Sequence, residues 1–254
     1  MPELIDSHSH IDVDEFAGDL PAVLRRARDA GVAAQIVPAI AASGWPALGE
    51  LCAAEPGLHP AYGLHPMYLE RHEPAHLDEL PRWLAREDCV AVGECGLDFY
   101  VEGLDAEAQR RYFVRQLELA REHGLPVVLH ARRAVEEVIA TVRKLGVPSG
   151  VVHSFGGSAE QARQLFQLGF CIGLGGPITY ERAHRLRKLV QSMPIDFLLL
   201  ETDSPDQPTA SHRGERNEPA RLVEVLRTVA ALRGEDEGRV AEATTANAKR
   251  LFRL

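Results

Sequence analysis

The chain has 254 residues, 45% hydrophobic and 26% charged, which excludes a disordered, collagen-like or disulfide-stapled class. Its 28 basic and 37 acidic residues give a net charge of −9. That balance argues against broad electrostatic adhesion to DNA or to an anionic membrane, although a bound metal cluster can add local positive charge.

Short apolar runs recur along the chain: Leu4–Ile5, Ala34–Ile40, Pro60–Leu64, Val90–Gly93, Pro126–Leu129, Gly150–Val152, Phe170–Gly173 and Phe197–Leu200. They do not alternate strictly, as expected for parallel strands covered on both faces. Helical patterns separate them. One runs from Leu20 to Ala30 and stops at Gly31; a longer one runs from Ala106 to Glu122 with Phe113, Leu117 and Ala120 on one face and Gly124 just beyond. Ser158 caps a pattern that ends at Gly169, Pro219 opens another that reaches Leu232, and a last one covers Glu235 to Leu251. Strand–helix alternation predicts right-handed βαβ units and a parallel sheet. Eight such units predict an α/β fold, a (β/α)8 TIM barrel forming a single domain over residues 1–254, with a doubly wound open sheet as the alternative.

Cys52, Cys89, Cys95 and Cys171 form no C-x-x-C pair and read as free buried thiols of a reducing compartment. The N-terminus carries no basic, apolar leader, and no run approaches the ~20 apolar residues of a membrane span. The expectation is a cytoplasmic protein with no membrane contact and no obligate protein partner.

In a βα barrel the residues after each strand share one mouth. Five of the eleven histidines fall there: His8, His10, His65, His130 and His153. The carboxylates Glu94 and Asp203 join them. His8 and His10, two residues apart in extended chain, face the same side and can bind one metal. His130, His153 and Asp203 can complete one or two coordination shells, and Glu94 can bridge a metal pair. Such a pair activates water and clamps a phosphoryl group. By softness the donors suit zinc, manganese, iron or nickel better than magnesium.

Read in order, Asp6-Ser7-His8-Ser9-His10, Gly63-Leu64-His65-Pro66, Val92-Gly93-Glu94-Cys95-Gly96-Leu97-Asp98, Leu129-His130-Ala131-Arg132, His153-Ser154-Phe155, Leu200-Glu201-Thr202-Asp203-Ser204-Pro205 and Arg213-Gly214-Glu215-Arg216-Asn217-Glu218-Pro219 span most of the chain. Together they resemble the TatD family of metal-dependent deoxyribonucleases. The resemblance implies a (β/α)8 barrel, two divalent ions (Mg, Mn or Zn) and an exonuclease acting on DNA. It carries over His8, His10, Glu94, His130, His153 and Asp203 as metal ligands. Asp206-Gln207 departs from the aromatic–aliphatic pair of many members and suggests a less characterised branch.

In this reading Asp203 and Glu94 are the catalytic carboxylates, with Asp203 also taking a proton from the attacking water. Asp6 orients a histidine. His65 and Arg132 bind substrate phosphate; otherwise His65 caps its loop and Arg132 pairs with an acid. Arg133 reads as a solvated first-turn residue. Gly156-Gly157-Ser158 opens a helix that can hold phosphate or simply be capped by Ser158. Gly173-Leu174-Gly175-Gly176 allows close approach of substrate or makes a turn. His212, Arg213 and Arg216 form a basic rim or anchor their loop, with anchoring favoured for Arg213. Trp45 and Trp83 read as packing, and the aromatic content of 6% offers no row of stacking rings. Two other activities fit the ligand set less well: an amidohydrolase or lactonase acting on a small carbonyl ester or amide, and a non-catalytic binding module.

Overall fold

The computed structural model describes residues 3–254; Met1 and Pro2, where the N-terminal reading begins, lie outside the described residues. Eight strands form: β1 Leu4–Asp6, β2 Val32–Pro38, β3 Leu58–Tyr62, β4 Ala91–Asp98, β5 Val127–Arg132, β6 Gly150–Val152, β7 Phe170–Leu174 and β8 Leu198–Leu200. They lie in one sheet in chain order, and every pair with a defined register is parallel. Sequential order is that of a (β/α)8 fold; a doubly wound sheet would break it at its switch point. Each predicted run is a strand, but β4 and β5 extend past their apolar runs. Glu94, Asp98, His130 and Arg132 therefore stand within ladders rather than after them.

The helices are α1 Leu20–Asp29, α2 Trp45–Ala54, α3 Pro74–Leu84, α4 Ala106–His123, α5 Val135–Leu145, α6 Ala159–Gln167, α7 His184–Ser192, α8 Leu222–Arg233 and α9 Glu237–Phe252. Gly124, predicted as a stop, takes a left-handed φ of 62° beyond α4, and Gly146 and Gly234 do the same, at 64° and 65°, beyond α5 and α8. Pro219 differs from expectation. It opens a 3-10 turn, Pro219–Arg221, and the α-helix starts only at Leu222.

The chain divides into two compact units, one built from residues 1–37, 56–58 and 172–254, the other from 38–55 and 59–171. Three of the four boundaries fall inside β2, β3 and β7, and the fourth, between Glu55 and Pro56, lies in the connection from α2 to β3.

In the first unit β1 pairs with β2 and β7 with β8. Asn247 of α9 donates from its amide to the carbonyls of Ile195 and Leu198, at 2.7 and 2.9 Å, tying the last helix to the entrance of β8. Val240, Ala241, Ala248 and Phe252 are the buried face of that helix.

In the second unit β3, β4, β5 and β6 pair in sequence. The apolar stripe of α4 also carries two buried glutamines, Gln109 and Gln116. Gln116 accepts from the Leu64 N–H at 2.7 Å and donates to the Leu64 carbonyl at 3.2 Å. Gln109 does the same for Asp98, at 2.7 and 2.9 Å. A side-chain amide reproduces a ladder bond where no neighbouring strand can supply one, so each glutamine fixes one strand end. Trp45, fully buried, donates to the Gly63 carbonyl at 3.1 Å and packs on Trp83, as the packing reading requires. The four cysteines form no disulfide among the described residues and are buried, and burial pushes the Cys89 thiol up to about 12.

Candidate metal centre

In the first unit the segment after β1 continues as ladder. The Ser7 N–H donates to Leu200, Ser9 to Ile36 and His10 to Ser204, while the Asp203 N–H donates to the His8 carbonyl at 2.9 Å. Extended geometry puts the His8 and His10 rings on one side, with their Nε2 atoms 3.1 Å apart. Asp203 Oδ1 lies 3.6 Å from His8 Nε2 and 3.9 Å from His10 Nε2. Asp203 has φ of 55°, the left-handed region, which Asp tolerates better than most residues. Two imidazole nitrogens this close cannot both carry protons facing each other, so at least one presents a lone pair. Two imidazole nitrogens and a carboxylate oxygen converging on one point fit a divalent cation.

The predicted role of Asp6 changes in detail. Its Oδ1 accepts the backbone N–H of His8 at 3.2 Å and of Thr202 at 2.9 Å, and its Oδ2 accepts the Thr202 hydroxyl at 2.5 Å. It holds the backbone of both ligand segments. Burial, against those hydrogen bonds, raises its pKa to about 7. Two residues with no predicted role also fix Asp203. Gln207 donates from its side chain to Asp203 Oδ2. Asn217 donates to the carbonyls of Thr202 and Asp206, both at 2.9 Å.

In the second unit three histidines meet one carboxylate oxygen. Glu94 Oε1 lies 2.9 Å from His65 Nε2, 2.9 Å from His130 Nδ1 and 2.8 Å from His153 Nε2. His130 Nδ1 and His153 Nε2 are 3.4 Å apart. The outer nitrogen of His130, Nε2, lies 2.8 Å from Asp98 Oδ2. In the neutral ring a carboxylate there favours the proton on Nε2, so that Nδ1 would present its lone pair to the cluster, the usual way an outer carboxylate orients a metal ligand. Burial opposes charging of His130, but its hydrogen bonds to Asp98 and Glu94 outweigh that and raise its pKa. The same exchange, against burial, depresses Asp98 to about 2. Asp98 was visible in the motif but carried no signal of this role.

His65 is set differently. Its Nδ1 accepts the Met67 N–H at 3.1 Å, capping the 3-10 turn Pro66–Arg71. In the neutral ring Nε2 then carries the proton, so the atom facing Glu94 is a donor. Of the two predicted readings, the structure shows the cap, and the Nε2 side of the ring faces Glu94. Gly96, at φ 142°, is required here, because a Cβ would lie 2.0 Å from the His130 carbonyl oxygen.

Arg132 makes no ion pair with an acid among the described residues; its guanidinium lies 3.7 Å from the centre of the Tyr100 ring. Arg133, also exposed, lies over the same ring at 4.7 Å. The N-terminus of α6 is closed by its own capping box between Ser158 and Gln161, the plainer of its two readings. A Cβ on Gly173 would meet Glu201 Oε2 at 1.9 Å, and one on Gly176 the Gln207 carbonyl at 2.0 Å. Those glycines make room for the chain's own groups. His212 and Arg216 anchor the loop after β8: His212 Nε2 lies 2.9 Å from Glu224, and Arg216 donates to Asp19 at 2.8 Å. Arg213, for which anchoring was favoured, is exposed and makes no ion pair among the described residues.

The profile of the TatD-related DNase family matches residues 5–253. The chain belongs to the TatD family. Among its relatives is a protein of Escherichia coli K12 described as an uncharacterized metal-dependent hydrolase, YjjV, 40% identical over 253 residues and 98% of each chain. The crystal structure of an Escherichia coli K12 TatD homolog, YJJV, superposes with a TM-score of 0.95 at 39% identity, covering 99% of this chain and 98% of that one. A Danio rerio protein, tatdn3, named as a candidate deoxyribonuclease, is 34% identical over 260 residues, covering 98% of this chain and 96% of its own. This TatD-family chain has the TIM-barrel fold predicted from its strand–helix order, and its class is that of a metal-dependent hydrolase. No helix among its described residues is long and apolar enough to cross a membrane.

Proposed function

We propose that this chain is a single catalytic domain that hydrolyses phosphodiester bonds of DNA from a strand end, using two divalent cations. His8, His10 and Asp203 are the donors for one cation; Glu94, His130 and His153 are those for the other. The observation that carries the reading is the inward convergence of the donor atoms: His8 and His10 Nε2 at 3.1 Å, and Glu94 Oε1 within 2.9 Å of both His130 Nδ1 and His153 Nε2. Divalent ions held there would supply Lewis-acid activation of water and neutralise charge on a phosphoryl group.

The chain's own residues do the rest. Asp203 offers Oδ1 to the histidine side while Gln207 takes Oδ2, so the carboxylate is held in one orientation and can accept a proton from attacking water. His65, with its proton fixed on Nε2 by Met67, donates to a phosphate oxygen. Arg132, unencumbered by an acid, offers a fork to phosphate. Asp98 keeps His130 in the tautomer a cation needs.

The test is hydrolysis of end-labelled single-stranded DNA by metal-stripped protein with Mg²⁺, Mn²⁺ or Zn²⁺ restored. Metal-dependent shortening from one end, reduced about 10²- to 10⁴-fold in Asp203→Asn, supports the reading. Failure to cut with any metal, while metal still binds stoichiometrically, overturns it and points to a small carbonyl ester or amide as substrate.

A further inference from the structure

Tyr100 is 46% exposed, one of two large apolar side chains exposed among the described residues, the other being the C-terminal Leu254. Two guanidiniums lie on its ring, Arg132 at 3.7 Å and Arg133 at 4.7 Å from the centroid. Neither has a carboxylate within ion-pair distance among the described residues, in a chain of net charge −9. Nearby arginines contrast: Arg110, over the Phe99 ring, is held by Glu107 and Glu137.

The ring is also fixed to the candidate centre. Asp98 Oδ1 accepts the N–H groups of Tyr100 and Val101, at 2.8 and 2.9 Å, while its Oδ2 holds His130 Nε2 at 2.8 Å. The Phe99 N–H donates to the Arg132 carbonyl at 2.9 Å. One carboxylate therefore positions a candidate metal ligand and the loop carrying the ring. Arg133 has φ of 54°, a conformation rare for arginine, and its guanidinium still lies over Tyr100.

We propose that Tyr100, Arg132 and Arg133 form a subsite for one unpaired nucleobase and its phosphate. This deepens the phosphodiesterase reading and rests on it. A base stacks on an aromatic face or on an arginine plane without regard to its identity. The Tyr100 ring takes the base, and the Arg132 and Arg133 forks take its phosphate oxygens. One ring accommodates one base, so the subsite grips a single terminal or frayed nucleotide and not a long strand. Acidic peptides would satisfy the arginines but not the ring, and a duplex hides its base faces.

The experiment compares two oligothymidylates, one intact and one with an abasic residue at the attacked end. Binding is read by fluorescence anisotropy on metal-loaded protein with phosphorothioate linkages that block cutting; cleavage is read on the unmodified strands. Tyr100→Ala is expected to weaken binding and lower kcat/KM for the intact strand by about 5- to 100-fold. Wild type is expected to lose a similar factor on the abasic strand, Tyr100→Ala to lose nothing further there, and Tyr100→Trp to recover the preference. Equal losses for Tyr100→Ala on both strands, or none on either, would overturn the subsite. Preference for the intact strand in binding, with no cutting under any metal, would retain the subsite and remove the phosphodiesterase reading. Cutting with no preference would do the reverse.

Discussion

Asp98 shows how much of the chemistry sits one atom away from the ligands. Its two oxygens serve two masters: backbone N–H groups of the Tyr100 loop on one side, His130 Nε2 on the other. Asp98→Asn keeps the shape and can still accept a hydrogen bond, but it lacks the charge that anchors the His130 proton. The expected result is a loss of about 10- to 100-fold in metal affinity or kcat/KM, read by calorimetric metal titration of the stripped protein. Unchanged affinity would show that His130 needs no outer carboxylate. His65→Ala makes a separate prediction: metal stoichiometry stays intact while KM for substrate rises, because an N–H to phosphate is lost and no cation donor is. A drop in metal content in that variant would make His65 a ligand. The six proposed ligands were legible because histidine and carboxylate at strand ends are chemically unusual. Their outer partners were not. Gln207 and Asn217 act on Asp203 across four and fourteen residues of loop, and nothing in residue type announces such a contact.

At the scale of elements, the apolar runs and glycine stops announced strand order and helix ends, but not how far β4 and β5 would reach. Glu94 to Asp98 lies past the apolar run that ends at Gly93; it is still buried strand, because neighbouring backbone approaches it closely. The glutamines of α4 were hidden for the opposite reason. Gln109 and Gln116 fall on the stripe with Phe113, Leu117 and Ala120, where a polar residue looks like noise in the pattern. Each makes two hydrogen bonds to one strand-end residue. Replacing Gln116 by Leu fills the space and leaves the Leu64 N–H and carbonyl buried without those partners. The expected cost is about 1–3 kcal/mol, with a rise in KM because His65 follows directly; urea unfolding and steady-state kinetics read the two effects. Gly173→Ala tests close packing in the other unit. Its Cβ would sit 1.9 Å from Glu201 Oε2, so a destabilisation of about 1–3 kcal/mol is expected from urea midpoints. An unchanged midpoint would mean that Glu201 moves aside freely.

At the scale of the whole molecule, three of the four unit boundaries cut through β2, β3 and β7. A single catalytic domain, as proposed, would unfold as one unit. One cooperative thermal transition is therefore expected in calorimetry, shifted upward by saturating metal because the ion binds only the folded donor set. Two separated transitions would contradict the single-domain reading. The central claim is that the two donor clusters, His8–His10–Asp203 and Glu94–His130–His153, each hold a divalent cation. The direct measurement is the number of Mn²⁺ or Zn²⁺ ions bound per chain by stripped protein, determined by equilibrium dialysis for wild type, His10→Ala and His153→Ala. Two tight ions in wild type and one fewer in each variant is the predicted result. A count of two that neither substitution lowers, or no stoichiometric binding in wild type, would contradict it.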